Sequence, residues 1–384
     1  MSWEKKLKPL LKQKYPQSSE EDLKKANAFV YGGSIIHDLG YVPMGNTVFS
    51  NLLHYVRTGD FINALFDEAR DLNEYAFALG ALCHYQSDIY GHSLGTNKAV
   101  AISFPRIKKK YGSTVSFEKA PIAHVRVEFG FDVLQTAKGN YKPDQYHDFI
   151  GFRISDSCLA RAFIKTYGIE LKSVFRNFSS AVAFFRWTVA SVLPELTRDA
   201  WKINKSFITQ LNPLSTEKNY TYRVDKKKFK KENSGFKPQS LLVTLVIASL
   251  PKYGPLAKFK PKIPTPETEK VYEQSFDSIV MHYSLEINRL RTKKASFANI
   301  NIDTGNETTM GEYKLGDETY YKLLMKLKKN EFKNVDEQLK EHVAGYFSQR
   351  SKQPDYKESS HKEKKLKQAL AELGTTSLHS QSSN

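Results

Sequence analysis

The chain has 384 residues, enough for one large core or two domains. Its hydrophobic fraction of 40%, with 21 Tyr and 24 Phe, excludes a wholly disordered chain. Lys and Arg outnumber Asp and Glu by 58 to 41, a net charge of +17 that attracts nucleic acid, anionic lipid surfaces or phosphorylated substrates. The lysines gather in linker-like stretches such as RVDKKKFKKENSGFK (223–237), so solubility accounts for much of the charge.

Helical signals dominate from the start, with no βαβ rhythm and no hairpin signature joining alternating strands. Ser19 and Asp22 form a capping-box pattern, and the helix they open is predicted to stop at Gly32–Gly33. DLGYVPMGN (38–46) reads as a loop. A helix is predicted over 47–57, ending at Gly59, and another after Asp60. Asp71 and Glu74 form a second capping-box pattern. Apolar residues at Leu72, Tyr75, Ala76, Leu79, Leu82 and Cys83 then mark a helical stripe. Pro121 suits a first helical turn, with the helix running to about Gly139. Two more helices fit 156–167 and 171–210.

The stretch 212–240 reads as a linker, and 251–266 is punctuated by prolines. The apolar run LLVTLVIASL (241–250) is too short to span a bilayer. It suits a buried helix, or a lipid-facing one because Lys252, Lys258, Lys260 and Lys262 follow it. Helices are predicted over 266–293, 317–329 and 335–348, with 298–318 as loop. Beyond about 350 the chain is polar; Ser360 and Glu363 cap one short helix to Gly374, and the serine-rich end is expected to be disordered. Domain boundaries follow at 1–211, 212–266, 267–349 and 350–384.

Cys83 and Cys158 form no CxxC, so no thiolate zinc site or redox pair is suggested; buried free thiols are expected over one disulfide. Six of the ten histidines lie in the first 150 residues: His37, His54, His84, His92, His124 and His147. His84 and Asp88 stand at i, i+4, as do His124 and Glu128, so each pair shares a helix face. His92 extends the first stripe by one α-helical turn. A lone His–x3–Asp is usually a hydrogen-bonded pair, and His54 alone is equally a core histidine. Two such pairs, an additional His and an upstream Asp38 within about 90 residues are harder to ascribe to chance. Imidazole with carboxylate suits Zn2+, and zinc ions a few Å apart activate water and clamp phosphate oxygens.

The stretches YGGSIIHDLGY, NLLHYVRTGDF, YAFALGALCHYQSDIYGHSLGTN and AHVRVEFGFDV resemble the bacterial zinc-dependent phospholipase C family, related more distantly to the S1/P1-type nucleases. The resemblance is strongest over 20–180 and extends to about 348. It implies an all-α, multi-helix bundle with a zinc cluster in a cleft between helices. It also implies one zinc held by Asp38, His54, His84 and Asp88, and a second held by His92, His124 and Glu128, with Asp88 bridging to a third. Zinc-activated water would attack a phosphodiester, with Asp38 as general base. The expected substrate is a phospholipid head group, with peripheral contact to an anionic membrane and no specific nucleic-acid partner.

The chain departs from the family pattern. The His–Asp–His spacing is 4 then 4, shorter than in the secreted phospholipases. His37 stands beside Asp38 as a supporting partner or an idle surface residue. The first 36 residues contain neither a histidine nor an apolar signal segment. Two zinc sites are therefore expected and the third is in question. The start reads as truncated, which would restore a secreted or periplasmic location, or as a genuine loss. Alternative readings are a nuclease or 3′-nucleotidase on the same scaffold, and a catalytically impaired metal-binding protein. His147–Asp148 reads as a packing pair, and Asp303–Thr304–Gly305 as a turn.

Overall fold

Ser19 and Asp22 close the capping box read in the sequence: each side chain accepts from the other's backbone amide. The computed structural model describes residues 3–42, 44–141, 151–223, 225, 227, 260–349 and 360–375. These residues are overwhelmingly helical, so the all-α class expected from the sequence holds. No helix among the described residues is long and apolar enough to cross a membrane. The run at 241–250, the pair His147–Asp148 and the serine-rich end lie outside the described residues.

The chain divides into two units. The first takes in Met1–Ile89, Arg153–Ala181 and Met281–Asn384. It holds α1 (Lys8–Lys14), α2 (Glu20–Ile35), α3 (Thr47–Tyr55), α4 (Thr58–Glu68) and most of α5 (Leu72–Tyr90). The second unit takes in Tyr90–Phe152 and Val182–Val280. It holds α6 (Asn97–Ser103), α7 (Pro105–Tyr111) and α8 (Pro121–Ala137). The first unit also holds α9 (Asp156–Tyr167), which packs on α4. The helix α10 (Phe178–Trp187) precedes the second unit's α11 (Leu193–Leu211) and the short α12 (Glu217–Tyr220). After α13 (Pro266–Arg289) come α14 (Lys314–Lys329), α15 (Glu337–Ser348) and α16 (Ser360–Thr375), which pack together in the first unit.

The glycines at the end of α2 do not stop it, contrary to expectation. The helix continues to Ile35, because these glycines serve a close helix crossing and not a C-cap. A Cβ on Gly33 would fall 2.0 Å from the Phe77 carbonyl oxygen, and one on Gly80 would fall 2.0 Å from the Val30 oxygen. The two glycines thus let α2 and α5 approach backbone to backbone.

Other boundaries also shift. The helix after α3 begins at Thr58, before Asp60, because Arg57 turns the chain at φ 49° and Asp60 then receives the Arg57 guanidinium inside the first turn. Asp71 caps α5 through the amides of Asn73 and Glu74, but Glu74 does not complete the box; its carboxylate goes to the Arg70 amide, Ser157 and Arg161. The single helix expected over 171–210 is broken into a 3-10 turn at Leu171–Ser173, α10, a π-helical stretch at Thr188–Val192 and α11. Pro194, at the start of α11, lacks the N–H that an α-helical interior needs.

The loop 298–318 contains a small hairpin absent from the sequence reading, β1 (Ile300–Asn301) antiparallel to β2 (Asn306–Glu307). Asp303, Thr304 and Gly305 lie in its turn, with Gly305 at φ 75°. Both cysteines are free; Cys158 is buried, while Cys83 is only half-buried.

Candidate metal centre

In the first unit, three local structures bring four side chains together. A 3-10 turn at Ile36–Gly40 carries Asp38, α3 carries His54, and α5 carries His84 and Asp88 one turn apart. The Gly40 amide donates to Ser50 Oγ at 2.8 Å, which pins the turn to α3. Close crossing of α2 and α5 sets the Ser34 carbonyl against His84.

His54 Nε2 stands 3.6 Å from Asp38 Oδ1 and 3.5 Å from Asp88 Oδ2, and His84 Nε2 stands 3.2 Å from the same Asp88 oxygen. One ligand atom from each of Asp38, His54 and His84 lies within 4.8 Å of the others. Four ligands at zinc distances of about 2.0–2.2 Å stand roughly 3.3–3.6 Å apart in a tetrahedron. The His–carboxylate separations are therefore close to the edges of such a tetrahedron.

The far side of each ring is already committed. His54 Nδ1 donates to Ser50 O at 2.7 Å, and His84 Nδ1 donates to Ser34 O at 2.9 Å. A carbonyl can only accept, so in the neutral tautomer each Nε2 is a bare lone pair facing the carboxylates. An imidazole oriented by a backbone carbonyl is the usual outer support of a metal ligand. Burial disfavours charge on His84, but Asp88 and Asp38 overcome it and raise its pKa to about 9.

His37 is not an idle surface residue. It is fully buried, and its ring lies parallel to His84 at 2° with centroids 4.4 Å apart. It meets His54 and Phe61 edge-on at 5.8 and 5.9 Å. Burial, with His84 and His54 adding to it, holds its pKa well below the ordinary histidine value. Neither ring nitrogen has a hydrogen-bond partner among the described residues.

In the second unit, α8 carries His124 and Glu128. His124 is fully buried; its Nε2 donates to Val115 O at 2.6 Å, and its Nδ1 stands 3.9 Å from Glu128 Oε1. The His92 ring lies nearly parallel to that of His124 at 14°, with centroids 6.0 Å apart. His92 does not continue the α-helical stripe as expected. It sits in a π-helical stretch, Gly91–Thr96, whose wider turn re-aims the side chain. Again the carbonyl fixes one ring nitrogen and leaves the other as a potential ligand.

Two residues beside these groups escaped the sequence reading. Tyr41 sets its ring 5.5 Å from His54 and bonds Asn51 Oδ1 at 3.0 Å. Asp132 follows Glu128 at the next i+4 position of α8. The stripe His124–Glu128–Asp132 was present in the spacing, whereas nothing local marked Tyr41.

Comparison with known protein families agrees with this chemistry. The family model described as zinc dependent phospholipase C matches residues 5–177, a span that includes all seven potential ligands. No curated protein and no solved structure matches the chain. The family implies zinc, and the buried imidazole–carboxylate groups are suited to it. Over residues 5–177 this chain is therefore similar to the zinc-dependent phospholipase C family.

Proposed function

We propose that the chain hydrolyses a phosphodiester by a phospholipase C-type reaction, releasing the phosphorylated head group of a phospholipid. The observation that supports this most directly is the convergence of His54 Nε2 and His84 Nε2 on the carboxylates of Asp38 and Asp88 at 3.2–3.6 Å. In this reading Asp38, His54, His84 and Asp88 hold one zinc, and His92, His124 and Glu128 hold a second. Bound zinc supplies a Lewis acid for phosphoryl oxygens and lowers the pKa of water.

The chain's own residues do the remaining work. Ser50 and Ser34 carbonyls orient the His54 and His84 rings, and the Val115 carbonyl orients His124. The Asp38 side chain is about half exposed at 49%, so it is the carboxylate placed to take a proton from an incoming water. The positive net charge favours approach to an anionic membrane surface.

The test is hydrolysis of phosphatidylcholine vesicles by the zinc-loaded protein. Release of phosphocholine and diacylglycerol, lost with a chelator and restored by zinc, is expected. Cleavage of single-stranded nucleic acid without lipid turnover would move the reading to a nuclease. Fewer than about two zinc ions per chain would remove the multi-metal mechanism.

A further inference from the structure

A segment from beyond the family-matched residues, Phe297–Tyr313, is fastened to both helices that carry His54 and His84. The Ile302 amide donates to the His54 carbonyl at 3.2 Å, and Tyr85, next to His84 on α5, donates to Ala298 O at 2.7 Å. Thr58 Oγ1 donates to Ile300 O at 2.7 Å and accepts from the Ile300 amide at 2.9 Å. Asn299 pairs with Asp60 in the same two-way manner, both bonds at 3.0 Å. A Cβ on Gly59 would fall 2.1 Å from Ala298 O, so the segment meets the α3–α4 corner backbone to backbone. At that corner Arg57 holds a left-handed φ of 49°, a conformation a non-glycine residue keeps where its surroundings impose it.

A buried polar chain adds a second link. Tyr313 donates to Asp303 Oδ2 at 2.6 Å, and the Tyr55 hydroxyl is hydrogen-bonded to those of Tyr313 and Tyr41. Asp303, Tyr313 and Tyr55 are each at most 4% exposed. Apolar side chains would fill this volume without desolvating two hydroxyls and a carboxylate; what a bonded polar network adds is one fixed arrangement. The chain ends on His54: the Tyr55 and Tyr41 rings stand 5.8 and 5.5 Å from the His54 ring.

We propose that Phe297–Tyr313 is a brace for the group of Asp38, His54, His84 and Asp88, with Tyr313 and Tyr85 as positioning residues that keep the two imidazoles aimed at the carboxylates. His54 Nε2 and His84 Nε2 stand 3.5 and 3.2 Å from one Asp88 oxygen, yet they come from different helices. Their convergence depends on how α3 and α5 are held against each other, which no bond within either helix sets. The brace bonds to both. Losing an outer hydrogen bond that orients a ligand weakens metal binding roughly ten- to a hundred-fold.

The inference rests on the reading of these four residues as ligands of one zinc, and two measurements keep the two ideas apart. Zinc affinity of the full chain is measured by chelator competition in wild type, Tyr313→Phe, Tyr85→Phe and Leu366→Ala; the step that His84→Ala removes identifies the group. Amide exchange at His54–Val56 and His84–Gln86 is followed in the metal-free proteins. Each tyrosine variant keeps its ring and loses one hydroxyl, whereas Leu366→Ala opens a cavity in α16, outside the brace. Both tyrosine variants are expected to bind this zinc about ten-fold more weakly. Exchange should quicken about ten-fold, at His54–Val56 in Tyr313→Phe and at His84–Gln86 in Tyr85→Phe. Leu366→Ala should keep wild-type zinc affinity despite its lower stability.

Wild-type zinc affinity in both tyrosine variants would overturn the brace. An equal loss in Leu366→Ala would overturn it too, since the effect would then be one of general stability. If His84→Ala removes no zinc, the ligand reading fails; quicker exchange in the tyrosine variants then still supports the brace, and unchanged exchange overturns it.

Discussion

His37 stacks face to face on His84, with ring centroids 4.4 Å apart and both rings buried. His84 Nδ1 also donates to Ser34 O at 2.9 Å, so its ring is held on one face and at one nitrogen. His37 itself has two nitrogens without partners among the described residues, a desolvation cost of roughly 1–3 kcal/mol each. Its role is to fill space and hold the plane of His84.

Replacing His37 tests that role. His37→Phe keeps the stack and removes the orphan polar atoms, so stability is expected to hold or to rise by about 1–3 kcal/mol. His37→Ala opens a cavity and should cost roughly 2–4 kcal/mol and lower zinc affinity. Denaturant unfolding and zinc analysis read both. Loss of zinc in His37→Phe as well would show that an imidazole nitrogen is needed.

Removing a proposed ligand should act on metal content before anything else. His84→Ala is expected to lower bound zinc by about one ion per chain and to cut lipid hydrolysis by roughly a thousand-fold, several kcal/mol of barrier. Elemental analysis with circular dichroism checks it. Full zinc occupancy in the folded variant would remove His84 from the site.

The crossing of α2 and α5 should tolerate no side chain. In Gly33→Ala the new methyl meets the Phe77 carbonyl, whose backbone cannot give way as a flexible side chain can. A loss of roughly 3 kcal/mol is expected from such overpacking. Because the crossing also places Ser34 O against His84, zinc affinity should fall with stability. An unchanged melting temperature would contradict the close contact.

The pH dependence of stability has one clear source away from the metal groups. Burial, with the Arg57 charge adding to it, lowers His342 to about 4, and its Nε2 meets the Tyr320 hydroxyl at 2.8 Å. The folded state therefore binds fewer protons than the unfolded state between pH 4 and 6.5. The contribution is complete above 6.5 and is lost as pH falls toward 4, at most roughly 3 kcal/mol. His342→Gln should flatten that part of the stability profile, measured by urea unfolding at stepped pH.

Much of the site was legible because helical geometry is local. The i, i+4 spacing of His84–Asp88 and His124–Glu128 puts each pair on one face wherever the helix lies. Ser19 and Asp22 announce α2 for the same reason, since a cap bonds within three residues. The glycines were misread because Gly33 looks like a helix stop in one dimension. Its function depends on Phe77, which belongs to another helix. The hairpin at 300–307 was missed because each strand is two residues long, too short for an alternating pattern.

By itself, then, the sequence determined the all-α class, the periodic helices and the two i, i+4 His–carboxylate pairs, all consequences of short-range backbone geometry. Tertiary structure decided which nitrogen of each ring stays available. That choice rests on carbonyls such as Ser34 O, fifty positions from His84 in the chain. It also decided that His37 is buried against His84. Those outcomes depend on which surfaces exclude water together, and residue spacing carries no record of that.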